Sequence, residues 1–72
     1  MNLQDVATLE DWFKSVELPK PPIMLFPGTV ISDLDKFLEV HFAALKANPD
    51  SKSNVPVWHR LRALKLLIES NL

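Results

Sequence analysis

The stretch Leu18-Pro19-Lys20-Pro21-Pro22-Ile23-Met24-Leu25-Phe26-Pro27-Gly28-Thr29 decides how this chain is read. Three prolines within four residues fix φ and push their neighbours out of the helical region, so the path is extended and polyproline-like. Ile23 to Phe26 is too short for a helix bounded by prolines. It could be a brief strand, but no second strand candidate exists to pair with it. The segment therefore reads as an ordered crossover laid over helices, burying alternate side chains. Phe26-Pro27-Gly28-Thr29 reads as a turn, with Pro and Gly in the two central positions that type II prefers.

Outward from this crossover, the remaining prolines leave windows with an apolar stripe at helical spacing. On the N-terminal side, Leu9, Trp12, Phe13 and Val16 fall at i, i+3, i+4 and i+7, which predicts a helix over about residues 8–17. Thr8 and Asp11 have the spacing of a capping box, and Leu3 and Val6 could extend the element backwards. On the C-terminal side, Leu34, Phe37, Leu38, His41, Phe42 and Leu45 form the cleanest stripe of the chain. That helix is expected over about residues 32–47, capped by Ser32 and stopped by Asn48-Pro49. Asp50 to Asn54 is polar and reads as an exposed loop. The third helix opens at Pro56 and runs to about residue 70, with Val57, Leu61, Leu64 and Ile68 as its stripe. Trp58 and Leu67 flank that stripe, and Leu66 lies on the opposite face. The expected architecture is all-α: one domain over residues 1–72, a three-helix bundle with a long Pro-rich extended crossover between helices 1 and 2.

Composition agrees with one small soluble domain. The 72 residues carry 8 Lys+Arg against 9 Asp+Glu, a formal net charge of −1, and 47% are apolar. No cysteine is present, which excludes a disulfide scaffold, a Cys-ligated zinc finger and a thiol enzyme. Near-neutral charge argues against a strongly basic nucleic-acid module. No uninterrupted apolar run exceeds four residues, so no membrane span is expected. The first residues hold no basic region and no apolar signal core, so no secretory signal is expected.

Catalytic chemistry has little to stand on. No Ser/His/Asp pattern is recognisable, Gly28 is alone and cannot form a phosphate-cradling loop, and no metal-ligand spacing such as H-x-x-x-H occurs. No catalytic residue, cofactor or metal is expected. His41 sits within the second stripe and reads first as a core or rim histidine bonded to the backbone or to a nearby carboxylate, with a ligand or a pH-sensitive group as the alternative. His59, Arg60, Arg62 and Lys65 make the third helix basic, whereas Asp5, Glu10, Asp11 and Glu17 make the first acidic. The simplest reading is a solvated face with pairing between these helices. An interaction surface is expected around Trp58, His59, Arg62, Lys65 and Leu66, where an apolar patch lies among charges. A protein partner or a second copy fits it. A weak nucleic-acid-binding module using the basic third helix is the alternative, disfavoured by the acidic Asp33, Asp35 and Glu39 nearby.

Several strings together carry a resemblance: Leu9-Glu10-Asp11-Trp12-Phe13, Leu18-Pro19, Pro22-Ile23, Pro27-Gly28-Thr29-Val30-Ile31-Ser32-Asp33, Phe37-Leu38-Glu39-Val40-His41 and Arg60-Leu61-Arg62-Ala63-Leu64-Lys65. Over most of its length the chain resembles a family of small uncharacterised bacterial single-domain proteins of unknown function. The resemblance implies a stand-alone bacterial domain working in the cytoplasm, and it transfers no activity or site. The function expected from the sequence is that of a small non-catalytic accessory or protein-interaction domain.

Overall fold

The computed structural model describes residues 2–72. Three helices form the body: α1 (Leu3–Ser15), α2 (Leu34–Ala47) and α3 (Val55–Glu69). Between α1 and α2 the chain makes an antiparallel hairpin of β1 (Ile23–Phe26) and β2 (Thr29–Ile31). A single 3-10 turn over Lys52–Asn54 leads into α3. The expectation of an all-α fold is therefore corrected: the crossover between helices 1 and 2 contains a two-stranded sheet.

The strand missing from the sequence reading is Thr29-Val30-Ile31, three β-branched residues in a row, a composition that favours the extended pleat. Pro27-Gly28 folds it back onto β1. Gly28 has φ +84°, as the third position of a type II turn demands, and a glycine meets that demand without a Cβ penalty. Unprimed turns of this kind splay the strands that they join. The register accommodates this with an irregularity: Ile23 pairs Ile31 and Met24 pairs Val30, but Phe26 pairs Thr29, leaving Leu25 as an extra residue. The pleat then sorts the side chains. Ile23 and Ile31 point together into the core, and Met24 and Val30 point together to solvent. Upstream, the Pro21–Pro22 peptide bond is cis.

The helices follow their stripes, with ends set by capping. α1 begins five residues before the expected start because Asn2, rather than Thr8, is its cap: the Asp5 amide donates to Asn2 Oδ1 at 2.8 Å. Thr8 lies inside the helix and its hydroxyl donates to the Gln4 carbonyl at 2.9 Å. Val16 is already extended, so Glu17 falls outside α1. At α2 the cap is Asp33, not Ser32, accepting from the Lys36 amide at 3.1 Å. Asn48 closes α2 as expected, and Pro56 stands in the first turn of α3.

The loop between α2 and α3 differs from the exposed loop expected of Asp50 to Asn54. Asn54 is buried, and its Nδ2 donates to the Ala44 carbonyl at 3.0 Å and to the Asn48 carbonyl at 2.7 Å. A side chain at the entrance of α3 thus adds a second donor to two carbonyls at and just past the end of α2, beside the Asn48 and Ser51 amides that also reach them.

Among the described residues eleven apolar side chains make the core, with Leu45, Leu61, Leu64 and Val6 fully enclosed. α2 packs against both α1 and α3, and α3 also packs on β1. Phe13 of α1 meets Phe42 of α2 edge to face at 5.9 Å, and the Glu10–Lys46 ion pair at 2.8 Å joins the same two helices at the surface. The remaining side, between α1 and α3, is open.

Candidate binding groove

The open side is a groove of about 580 Å³. On α1, Asp5, Thr8, Leu9, Trp12 and Ser15 fall at i, i+3, i+4, i+7 and i+10, so one helical face lines the groove, with Asp11 beside it. On α3, Trp58, Arg62 and Lys65 fall at i, i+4 and i+7 and form the opposite wall. Both tryptophans of the chain are half-buried here, each leaving part of its indole toward the same space. The Trp12 ring is fixed from behind by Phe13, edge to face at 5.1 Å.

The two walls differ in charge. α1 presents the carboxylates of Asp5 and Asp11, whereas α3 presents the Arg62 guanidinium and the Lys65 ammonium. The pairing expected between these helices does not occur among the described residues. Glu10 pairs instead with Lys46 of α2, and Lys65 lies 3.8 Å from Glu69, one turn along its own helix. Asp5, Asp11 and Arg62 take part in no ion pair among the described residues. Lys65 also holds its ammonium 5.4 Å from the centre of the Trp12 ring, within range of a cation–π attraction. Opposite charges thus face each other across a partly apolar gap without joining.

Of the five residues expected to form an interaction surface, Trp58, Arg62 and Lys65 come together in this groove. His59 and Leu66 do not: both are exposed on other faces of α3. Arg60 also lies outside it, which separates it from Arg62 and Lys65. Trp12, Leu9 and the α1 carboxylates were not anticipated as partners of Trp58. The signal for them is the i, i+3, i+4, i+7 run that begins at Asp5, whose polar members share a helix face with Trp12.

Nothing in the groove is arranged as a nucleophile with its base. The Thr8 and Ser15 hydroxyls donate to the Gln4 and Trp12 carbonyls of their own helix. His41 lies elsewhere, half-buried, with Nδ1 2.7 Å from the Phe37 carbonyl and its ring stacked on Phe37 at 3.9 Å. The carbonyl accepts, so the proton sits on Nδ1. Among the described residues no three His, Asp or Glu side chains gather in a way that could hold a metal ion, and no helix is long and apolar enough to cross a membrane.

Residues 4–70 match the model of a family described as Domain of unknown function (DUF6965), which agrees with the resemblance to a small single-domain family of unknown function. No curated protein and no solved structure matches the chain.

Proposed function

We propose that this chain, which belongs to the DUF6965 family of domains of unknown function, is a non-catalytic protein-interaction domain of the bacterial cytoplasm whose α1–α3 groove receives a short segment of another protein. One observation carries the reading: two tryptophans face one groove whose walls bear opposite charges that do not pair with each other. Tryptophan and arginine are enriched among the residues that dominate interface binding energy: tryptophan buries a large area with only two side-chain torsions to freeze, and arginine presents a planar fork of N–H donors. Here both residue types stand in one concavity, with part of each indole still wet.

Charge sets what fits. The segment would carry an apolar or aromatic anchor seated between Trp12 and Trp58. It would place an acidic side chain toward Arg62 and Lys65 and a basic one toward Asp5 and Asp11. Complementary charges of this kind favour one orientation of the segment and penalise the reverse. The bacterial cytoplasm comes from the family resemblance. The non-catalytic part of the reading is supported by the hydroxyls that donate to their own helix and by both histidines lying outside the groove.

Selection of a phage-displayed random peptide library on the purified chain tests this reading. The expected result is enrichment of peptides with an aromatic or large aliphatic anchor next to an acidic residue. Their affinity should fall at least about tenfold, a loss of about 1.4 kcal/mol, in Trp58→Ala and in Arg62→Glu. Arg62 is exposed and Trp58 packs half-buried at the edge of the core, so far-UV circular dichroism should show each variant folded before its affinity is compared. No enrichment, or binding indifferent to both substitutions, would overturn the reading.

A further inference from the structure

A second groove, of about 650 Å³, lies on a different part of the molecule, beneath the Pro-rich crossover. Glu17 to Lys20 and Pro22 to Met24 form one side, and the end of α3 with the two residues Asn71 and Leu72 beyond it forms the other. Met24 and Leu72 line it and are 65% and 80% exposed, and Leu67 lies half-buried between them and the core. Its two charged side chains are Glu17 and Lys20, opposite in sign, three positions apart on a non-helical stretch. Neither takes part in an ion pair among the described residues.

We propose that this groove is where two copies of the chain pair about a two-fold axis, Glu17 of each copy meeting Lys20 of the other. A two-fold interface must be self-complementary: if residue i meets residue j, then j meets i. One acid and one base at a fixed spacing on an apolar ground meet that condition, because the axis brings each beside its opposite twice. The neighbouring sequence supports the same occupant. From Pro21 to Ser32 there is no charged residue, so a second copy brings no like charge against the hairpin. Phe26 and Val30, exposed on the hairpin's outer side, extend the apolar ground beyond Met24. Exposed strands in proteins that stay apart usually carry charge as a guard, and this hairpin has none. The patch holds few large side chains, so the expected dissociation constant is micromolar rather than nanomolar, on the order of 10 µM.

Analytical ultracentrifugation of the full chain between roughly 1 µM and 1 mM, a range that brackets this constant, tests the proposal. The wild type should pass from monomer to dimer. Glu17→Lys and Lys20→Glu should each be monomeric at concentrations where the wild type is dimeric, because each sets like charges together twice. An equimolar mixture of the two variants should dimerise again, since every base then meets an acid, and the double variant E17K/K20E should recover for the same reason. Both positions are exposed, and circular dichroism should show unchanged helix content. Trp58→Ala, which alters the other groove, should leave the dimer intact, so failure of one proposal is separable from failure of the other. A wild type monomeric throughout, a dimer untouched by the single substitutions, or a mixture no better than its components would overturn the proposal.

Discussion

Replacing Asn54 by alanine isolates one joint of the fold. The side chain makes two part-buried hydrogen bonds, to the Ala44 and Asn48 carbonyls. Both acceptors keep a second donor, because the Asn48 amide also reaches the Ala44 carbonyl at 3.2 Å and the Ser51 amide reaches the Asn48 carbonyl at 3.1 Å. No carbonyl is orphaned, so the loss is that of two net hydrogen bonds at about 0.5–1.5 kcal/mol each, roughly 1–3 kcal/mol in sum. A domain of this size without disulfides is stable by only about 3–5 kcal/mol, so the substitution should remove from about a fifth to nearly all of that. Urea unfolding followed at 222 nm, with a slope near 1 kcal/mol/M, should show the midpoint falling by about 1–3 M. Thermal unfolding should show Tm lower by roughly 5–20 °C. Asn54→Asp sharpens the test. A carboxylate has no donor to give, and it would face two carbonyl oxygens, so it should cost more than alanine. A loss below about 0.5 kcal/mol for alanine, or an aspartate variant as stable as the wild type, would refute the role given to Asn54.

Gly28→Ala should cost about 1–2 kcal/mol from backbone conformation alone, because φ is +84° while the space a methyl group would occupy is open; chemical denaturation reads it directly. Leu45→Ala, at a fully enclosed site, should cost about 2–5 kcal/mol and leave the chain partly unfolded at room temperature, whereas Leu66→Ala, 67% exposed, should change stability by less than about 0.5 kcal/mol; the same titration compares them. Lys46→Ala should cost less than about 1 kcal/mol, and the difference should shrink in high salt, since the Glu10–Lys46 pair is open to solvent.

The helices were legible because their information is local and periodic. In α2, Leu34, Phe42 and Leu45 of the predicted stripe are buried and Phe37, Leu38 and His41 are half-buried, as the spacing requires. The hairpin was not legible as a pair. β2 is three residues long and runs almost directly into the cap of α2, so it reads as an approach to a helix unless the β-branched run after Pro27-Gly28 is given weight. Asn54 was hidden by composition: it sits in a polar stretch, and only the return of the chain at α3 brings it to the α2 carbonyls. The groove was half legible. Trp58, Arg62 and Lys65 share a face at helical spacing, but their meeting with Trp12 depends on α2 packing against α1 and α3 while the third side stays open.

The joint at Asn54 also determines how α3 can move as a lever. Fifteen residues at 1.5 Å each make it about 22 Å long, held at one end by hydrogen bonds to α2. Tilting α3 by about 5° around that fulcrum would leave its first turn in place and carry Glu69 some 2 Å, a displacement that follows from the length alone. Val57 and Trp58 are near the pivot and would scarcely shift, whereas Leu67 and Ile68 would travel most of the full arc. A small rotation would therefore be read out at the crossover end of the molecule, by widening or narrowing the space under Pro19 and Pro22, and not at the tryptophan near the pivot.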